Sequence, residues 1–182
     1  MTIIEHLRHL GQMAGGSRLG GPGERMMCAW FREQPVPGAS TFVTTGLSDH
    51  EFPSPDGHTV WEEILFAAYD RFSASAISSF LLSFLEFILR KHQCLLFGDV
   101  VGPTNPIIPG IPLTAVLADP PTCFIDSFAK YNETSPPTTL VWLIPLHAKE
   151  AELAHGKGWR ELQKLIASSN PDLFDLLRPS LV

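Results

Sequence analysis

The sequence predicts an α+β fold: a single domain with a mostly antiparallel or mixed β-sheet packed against helices. Three observations predict it. TTLVWLIPL (138–146) is an unbroken apolar run of strand length, as expected of a central strand covered on both faces. Residues 74–92 place Ile77, Phe80, Leu81, Phe84, Leu85, Ile88 and Leu89 at helical spacing. The remaining strand-like runs are not joined by regularly alternating helices, which argues against a doubly wound parallel sheet.

The elements follow in chain order. Residues 3–10 read as a short amphipathic helix. GQMAGGSRLGGPGE (11–24) holds six glycines and reads as a mobile loop. No GKS or GKT follows it, so it is not a P-loop. Residues 1–24 are therefore taken as a short helix plus a flexible glycine-rich segment, and 25–182 as the domain. RMMCAWFRE (25–33) and TFVTTG (41–46) read as neighbouring antiparallel strands across the turn QPVPGAS. SDHEFPSPDGH is a loop marked by Pro53, Pro55 and an Asp-Gly pair. VWEEILFAAYDRF (60–72) gathers Trp61, Leu65, Ala68 and Phe72 at helical spacing. Thr59 and Glu62 make a capping-box pattern before it, so a helix is expected. A second helix covers 74–92 and ends on Lys91 and His92, where cations suit its dipole.

A short strand is expected near 95–97. VGPTNPIIPGIPL (101–113) has four prolines and forms a looped crossing, not a helix. TAVLAD (114–119) reads as a strand, PTCFID (121–126) as another short one, and YNETSPP as a turn. The central strand 138–146 is expected to end at Pro145. KEAELAHGKGWRELQKLI is helix, interrupted around Gly156 and Gly158. NPDLFDLLRPS closes with one or two helical turns.

Composition narrows the function. Of 182 residues, 45% are hydrophobic and 18% charged, which fits one folded domain and excludes a disordered chain. A net charge of -6 disfavours nucleic acid and suits a basic protein surface. Cys28, Cys94 and Cys123 form no CxxC, and read as core thiols of a reducing compartment. MTIIEHLRHLGQ lacks the unbroken apolar run of an export signal, so a cytoplasmic location is expected. The most membrane-like stretch has fourteen residues between Arg71 and Glu86, short of the roughly 20 that a spanning helix needs.

No catalytic, cofactor-binding or metal-binding residue is expected. Asp49 and His50 are adjacent, so in an extended chain their side chains diverge, and no GxSxG element accompanies them. Asp49 reads as a turn-forming acceptor. His6 with His9, His50 with His58, and His147 with His155 fit no recognised metal spacing. Glu150 and Glu152 read as solvated helix-end polarity. Glu62 and Glu63 are expected to diverge on a helix, and Glu86 to pair with Arg90 at i,i+4. Trp61, Trp142 and Trp159 read as core. Trp30 and Phe31 alternate on a strand, so one of them faces outward and could anchor a partner.

Several stretches together resemble the suppressor of fused domain family: TTGLSDH (44–50), VWEEILFAAYDRF, VGPTNPIIPGIPLTAVLADP, and LVWLIPLHAKEAELAHGKGWRELQKL from Leu140. The resemblance covers roughly residues 25 to 178 and points to a stand-alone bacterial-type member. It implies an α+β domain without known catalysis. Eukaryotic relatives bind a transcription factor and carry a further domain that encloses its peptide, for which 182 residues leave no room. Stand-alone bacterial relatives are similar to proposed immunity proteins.

The leading reading is a non-catalytic protein-binding domain, with an immunity protein neutralising a cognate toxin as its specific version. Asp49, His50 and Glu51 are the expected polar contacts, and Trp30 the expected anchor. Two alternatives stay open. One is a small hydrolase-like enzyme bringing His50 or His58 toward Asp56 or Glu86. The other is a structural or scaffold subunit, such as a homodimer built through a sheet edge.

Overall fold

The computed structural model describes residues 3–19, 26–125, 128–133 and 137–182. Its strands are β1 (Met13–Arg18), β2 (Met27–Arg32), β3 (Ala39–Thr45), β4 (Phe52–Pro53), β5 (Thr59–Tyr69), β6 (Val100–Val101), β7 (Ala115–Asp119), β8 (Lys130–Tyr131) and β9 (Thr138–Leu146). They form one mixed sheet in the order β1-β2-β3-β5-β9-β7-β6, with β4 beside β5 and β8 beside β9. Only β5 and β9 run parallel among the described strands; the other pairs are antiparallel. The helices are α1 (Ile3–His6), which continues as a 3-10 turn over Leu7–Leu10, then α2 (Ala74–Lys91), α3 (Ala148–Lys157) and α4 (Trp159–Ser169). No described helix is long and apolar enough to cross a membrane.

The expected α+β class holds, with helices on both faces of the sheet. On one face Ile77, Leu81, Phe84, Leu85 and Ile88 of α2 pack on Phe42, Ile64, Phe66 and Val141. Ser73 starts α2 by accepting the Ala76 N–H at 3.3 Å, the usual N-cap bond. His92 ends it in a left-handed conformation. On the other face Leu7, Leu10, Ala151 and Leu162 cover Val43, Leu65, Leu117, Leu140 and Ile144.

The largest departure from expectation is β5. Residues 59–69 form an eleven-residue strand, so the helix over 60–72 and its Thr59–Glu62 capping box do not exist. The cause is burial on both sides. Ile64, Phe66 and Ala68 enter the core beneath α2, while Leu65 enters the opposite core. A strand apolar on both faces satisfies a helical template as readily as a β one.

Other departures are smaller. Met13–Arg18 of the glycine-rich stretch is strand β1 rather than a loop, paired with β2. Its small residues give no alternation to read, and Trp30 of β2 lies directly over Gly15, where a Cβ would collide with the indole. The expected strand at 95–97 is irregular chain, and residues 121–125 form turns. Asp126 lies outside the described residues, as do 134–136 of the expected YNETSPP turn. Pro145 does not end β9: it faces Val116 of β7 in register. Its carbonyl points instead to Arg178 Nη2, 3.1 Å away. Its hydrogen-free nitrogen is thus on the side where no β7 donor is needed. NPDLFDLLRPS is not helical; Asp172 and Asp175 accept the Phe174 and Leu177 N–H groups and close two turns. Glu86 is exposed and makes no ion pair with Arg90.

Candidate functional site

Glu62 and Glu63 are neighbours on β5, and both are 0% exposed. Successive strand residues point to opposite sides, so each carboxylate serves a different segment. Glu63 Oε1 accepts N–H bonds from Gly46 (2.8 Å) and Ser48 (3.0 Å) and the Ser48 hydroxyl (2.7 Å). Its Oε2 accepts the Thr44 hydroxyl at 2.7 Å. One buried carboxylate thereby collects the donors of the turn that leaves β3. Gly46 takes a left-handed φ of 99°, and a 3-10 turn over Leu47–Asp49 follows. Leu47 and Phe52, both 0% exposed, pin the turn into the core. Asp49, His50 and Glu51 stand exposed on its outer side.

Glu62 fastens the segment after α2. Both of its oxygens lie 3.1 Å from the Leu95 N–H. Asp99 then accepts the Leu96 N–H at 2.8 Å, and Gly98, at φ 99°, donates to Ala118 of β7 at 2.8 Å. A Cβ on Gly98 would lie 2.5 Å from the Trp159 ring. The tight turn pushes Leu96 and Phe97 outward, 40% and 43% exposed.

The two segments meet. Phe52 packs against His92 and His50, at 6.0 and 6.5 Å between ring centres, and Cys94 Sγ lies 3.6 Å from the Pro53 carbonyl. Between them is a cleft of about 410 Å3 lined by Pro53, Ser54, Pro55, Cys94, Leu96 and Asp99. Residues 46–59 and 92–101 contain Asp49, Glu51, Asp56 and Asp99 but no lysine or arginine. These two segments therefore carry only acidic full charges, beside an apolar Leu96–Phe97 knob.

Burial dominates the two anchoring carboxylates. It pushes the Glu62 carboxyl up to about 8, aided by the charges of Glu63 and Asp99 and opposed by the Leu95 N–H. It pushes Glu63 up to about 7 against the bonds from Ser48, Thr44 and Gly46. Burial also raises the Cys94 thiol, with the charges of Glu62, Asp99 and Asp56 adding to it, so no thiolate nucleophile is prepared there. Glu150 differs: burial opposes its ionisation, but the Arg178 guanidinium and the Leu181 and His147 N–H groups outweigh it and hold the carboxyl low. Arg178 binds it through Nη1 and Nη2 at 2.7 and 2.6 Å. This buried clasp corrects the reading of Glu150 as solvated.

Asp49, His50 and Glu51 stand exposed on the turn whose Phe52 and Pro53 meet His92 and Cys94 of the 92–99 segment. Trp30 lies elsewhere, half-buried in mid-strand opposite Phe42. The grouping of the alternative hydrolase reading is not assembled in the cleft, which none of His50, His58 and Glu86 lines. Asp56 instead accepts from the Ser54 hydroxyl and the His58 N–H. His6 is buried, with Nε2 3.1 Å from the Phe128 carbonyl. No metal-sized cluster of three His, Cys, Asp or Glu side chains occurs among the described residues. Sequence reading named Glu62 and Glu63 but placed them on a helix and gave them no anchoring role, and it did not single out Leu96 and Phe97. Two acids inside an apolar run were the available signal.

The sequence model of the suppressor of fused protein (SUFU) matches residues 24–179. The chain belongs to the suppressor of fused family. No curated protein matches it in sequence. Its fold is similar to a structure described as that of a SUFU homologue from Neisseria gonorrhoeae FA 1090. That likeness has a TM-score of 0.77 at 14% identity, covering 99% of this chain and 94% of the other. It is also similar to a chain of the Sufu–Fu complex, with a TM-score of 0.75, 13% identity, and 98% and 90% covered. Drosophila Suppressor of Fused gives a TM-score of 0.76 at 13% identity; 99% of this chain matches 50% of that one. Across this SUFU fold the cleft segments flank β5, the strand that sequence reading had made a helix.

Proposed function

We propose that the chain is a non-catalytic protein-binding module whose binding face is built by residues 46–53 and 92–99. The observation that carries this reading is the exposed Leu96–Phe97 pair, set in one of two segments whose own full charges are all acidic. An apolar anchor with a charged surround is the usual anatomy of a binding hot spot, and the acids select a basic partner surface. The existence of a Sufu–Fu complex supports the class of function. The specific version is a cytoplasmic immunity protein that binds and neutralises a basic cognate toxin. Asp49, His50 and Glu51 are its polar contacts.

Affinity capture from native lysate, quantified by mass spectrometry, tests the reading. One stoichiometric partner is expected, retained by wild type and lost from a Leu96→Ala, Phe97→Ala double variant that melts normally. Equal capture by both proteins would refute the face. A scaffold reading draws on one feature, the edge strand β1 with Met13 50% exposed. Light scattering against concentration decides that reading, because a chain that stays monomeric has no such dimer.

A further inference from the structure

The binding face is held down by two carboxylates that no cation among the described residues neutralises. Facing Glu63 are the hydroxyls of Thr44 and Ser48 and the N–H groups of Gly46 and Ser48. From β9 its register neighbour is the apolar Leu140. Glu62 meets the Leu95 N–H and feels the charges of Asp99 and, from the opposite side of β5, Glu63, with the Cys94 thiol within its electrostatic reach and Thr139 its neighbour on β9. A buried carboxylate served by neutral donors and like charges gains stability when it takes up a proton. The closed turn tolerates that proton on Glu63. Ser48 is only half-buried, so its hydroxyl can reverse, accept the carboxyl hydrogen and turn its own hydrogen to water. The N–H groups of Gly46 and Ser48 keep an oxygen acceptor throughout.

We propose that Glu62 and Glu63 are a proton-controlled latch that closes the 44–48 and 93–95 segments onto the sheet under mildly acidic conditions and loosens them above neutrality. The latch regulates the partner face and rests on that reading only for its biological purpose; its mechanics belong to the fold. The direction follows from linkage. When a segment lifts, its carboxylate reaches water and returns toward its ordinary value, so protons favour the closed form. With the Glu63 carboxyl at about 7 when closed and 4.5 when open, closure strengthens about tenfold between pH 8 and pH 6. For Glu62, at about 8, the same interval gives about fiftyfold.

Amide hydrogen exchange followed by NMR tests this on the wild-type chain without any partner. After correction for intrinsic rates, protection of Gly46 and Ser48 should rise about tenfold from pH 8 to pH 6, and that of Leu95 about fiftyfold. The Leu143 amide, on the central strand β9, should not follow. Glu63→Gln should flatten the profile at Gly46 and Ser48, and Glu62→Gln the profile at Leu95. Protection that stays flat or falls on acidification overturns the latch. So does an equal change at Leu143, which would mean global opening. If the profiles appear as expected but the Leu96→Ala, Phe97→Ala variant still captures its partner, the latch stands and the face assignment fails.

Discussion

Replacing Arg178 by alanine strips a buried carboxylate of its counter-ion. In the native chain Glu150 and Arg178 are 0% and 3% exposed at the side chain and joined at 2.6 Å. The substitution leaves Glu150 with only the Leu181 and His147 N–H groups, at 3.0 and 2.9 Å, and frees the Pro145 carbonyl. Breaking one side of a buried pair costs about 3–5 kcal/mol, because the remaining charge keeps its desolvation penalty. Against a urea dependence of about 2 kcal/mol per M, the midpoint should fall by about 1.5–2.5 M with an unchanged slope. The pH profile should change as well. In wild type the Glu150 carboxyl is held low, so its contribution is present above its unfolded value and lost as pH falls through the folded one. Without Arg178, burial acts unopposed by any cation and the sign reverses: acidification should recover stability. Urea melts of wild type and variant at pH 5 and pH 8 read both effects, because the loss caused by the substitution should be smaller at pH 5 than at pH 8. A loss below about 1 kcal/mol, the scale of an exposed pair, would refute the reasoning. A Glu150→Met, Arg178→Met double variant should lose far less than Arg178→Ala alone.

Two further outcomes follow from the carboxylates and the Gly98 turn. Because Glu62 and Glu63 are raised to about 8 and 7, their contribution is fully present below about pH 4.5 and lost as pH rises through those values. Thermal melts should therefore show a wild-type stability decline between pH 5 and pH 9, of which Glu63 accounts for about 3 kcal/mol, and a flatter profile in a Glu62→Gln, Glu63→Gln variant. Gly98→Ala should cost about 1–3 kcal/mol from its left-handed backbone alone, with more from the collision with Trp159. A chemical melt indistinguishable from wild type would show that the turn relaxes freely.

What the sequence disclosed depended on whether the information was local. Helix α2 was legible because its apolar residues recur at helical spacing and its C-terminal end carries Lys91 and His92. The passage from β3 into a polar turn was legible in TFVTTGLSDH. Strand β5 was not, because a strand buried on both faces loses its alternation. The role of Glu63 was hidden for a related reason. Three of its four donors come from residues 46 and 48, fifteen to seventeen positions away. Two of those three are backbone groups that every residue type carries. The Glu150–Arg178 clasp spans 28 positions, and neither half signals the other. Asp49, His50 and Glu51 were placed in a polar loop by their turn residues, and they stand exposed there. The apolar pair beside them was absorbed into an expected strand.

The parallel pairing of β5 with β9 sets an order of assembly during synthesis. Residues 61–65 must wait for residues 138–142, which emerge several seconds later at about 5–20 residues per second. Through that interval the nascent chain carries β5 with one flank bare, apolar from Ile64 to Ala68 and open to pairing with any passing strand. A ribosome-bound chain halted before residue 138 is thus the form of this protein most dependent on chaperone cover, and yields of truncated chains should drop abruptly on losing β9.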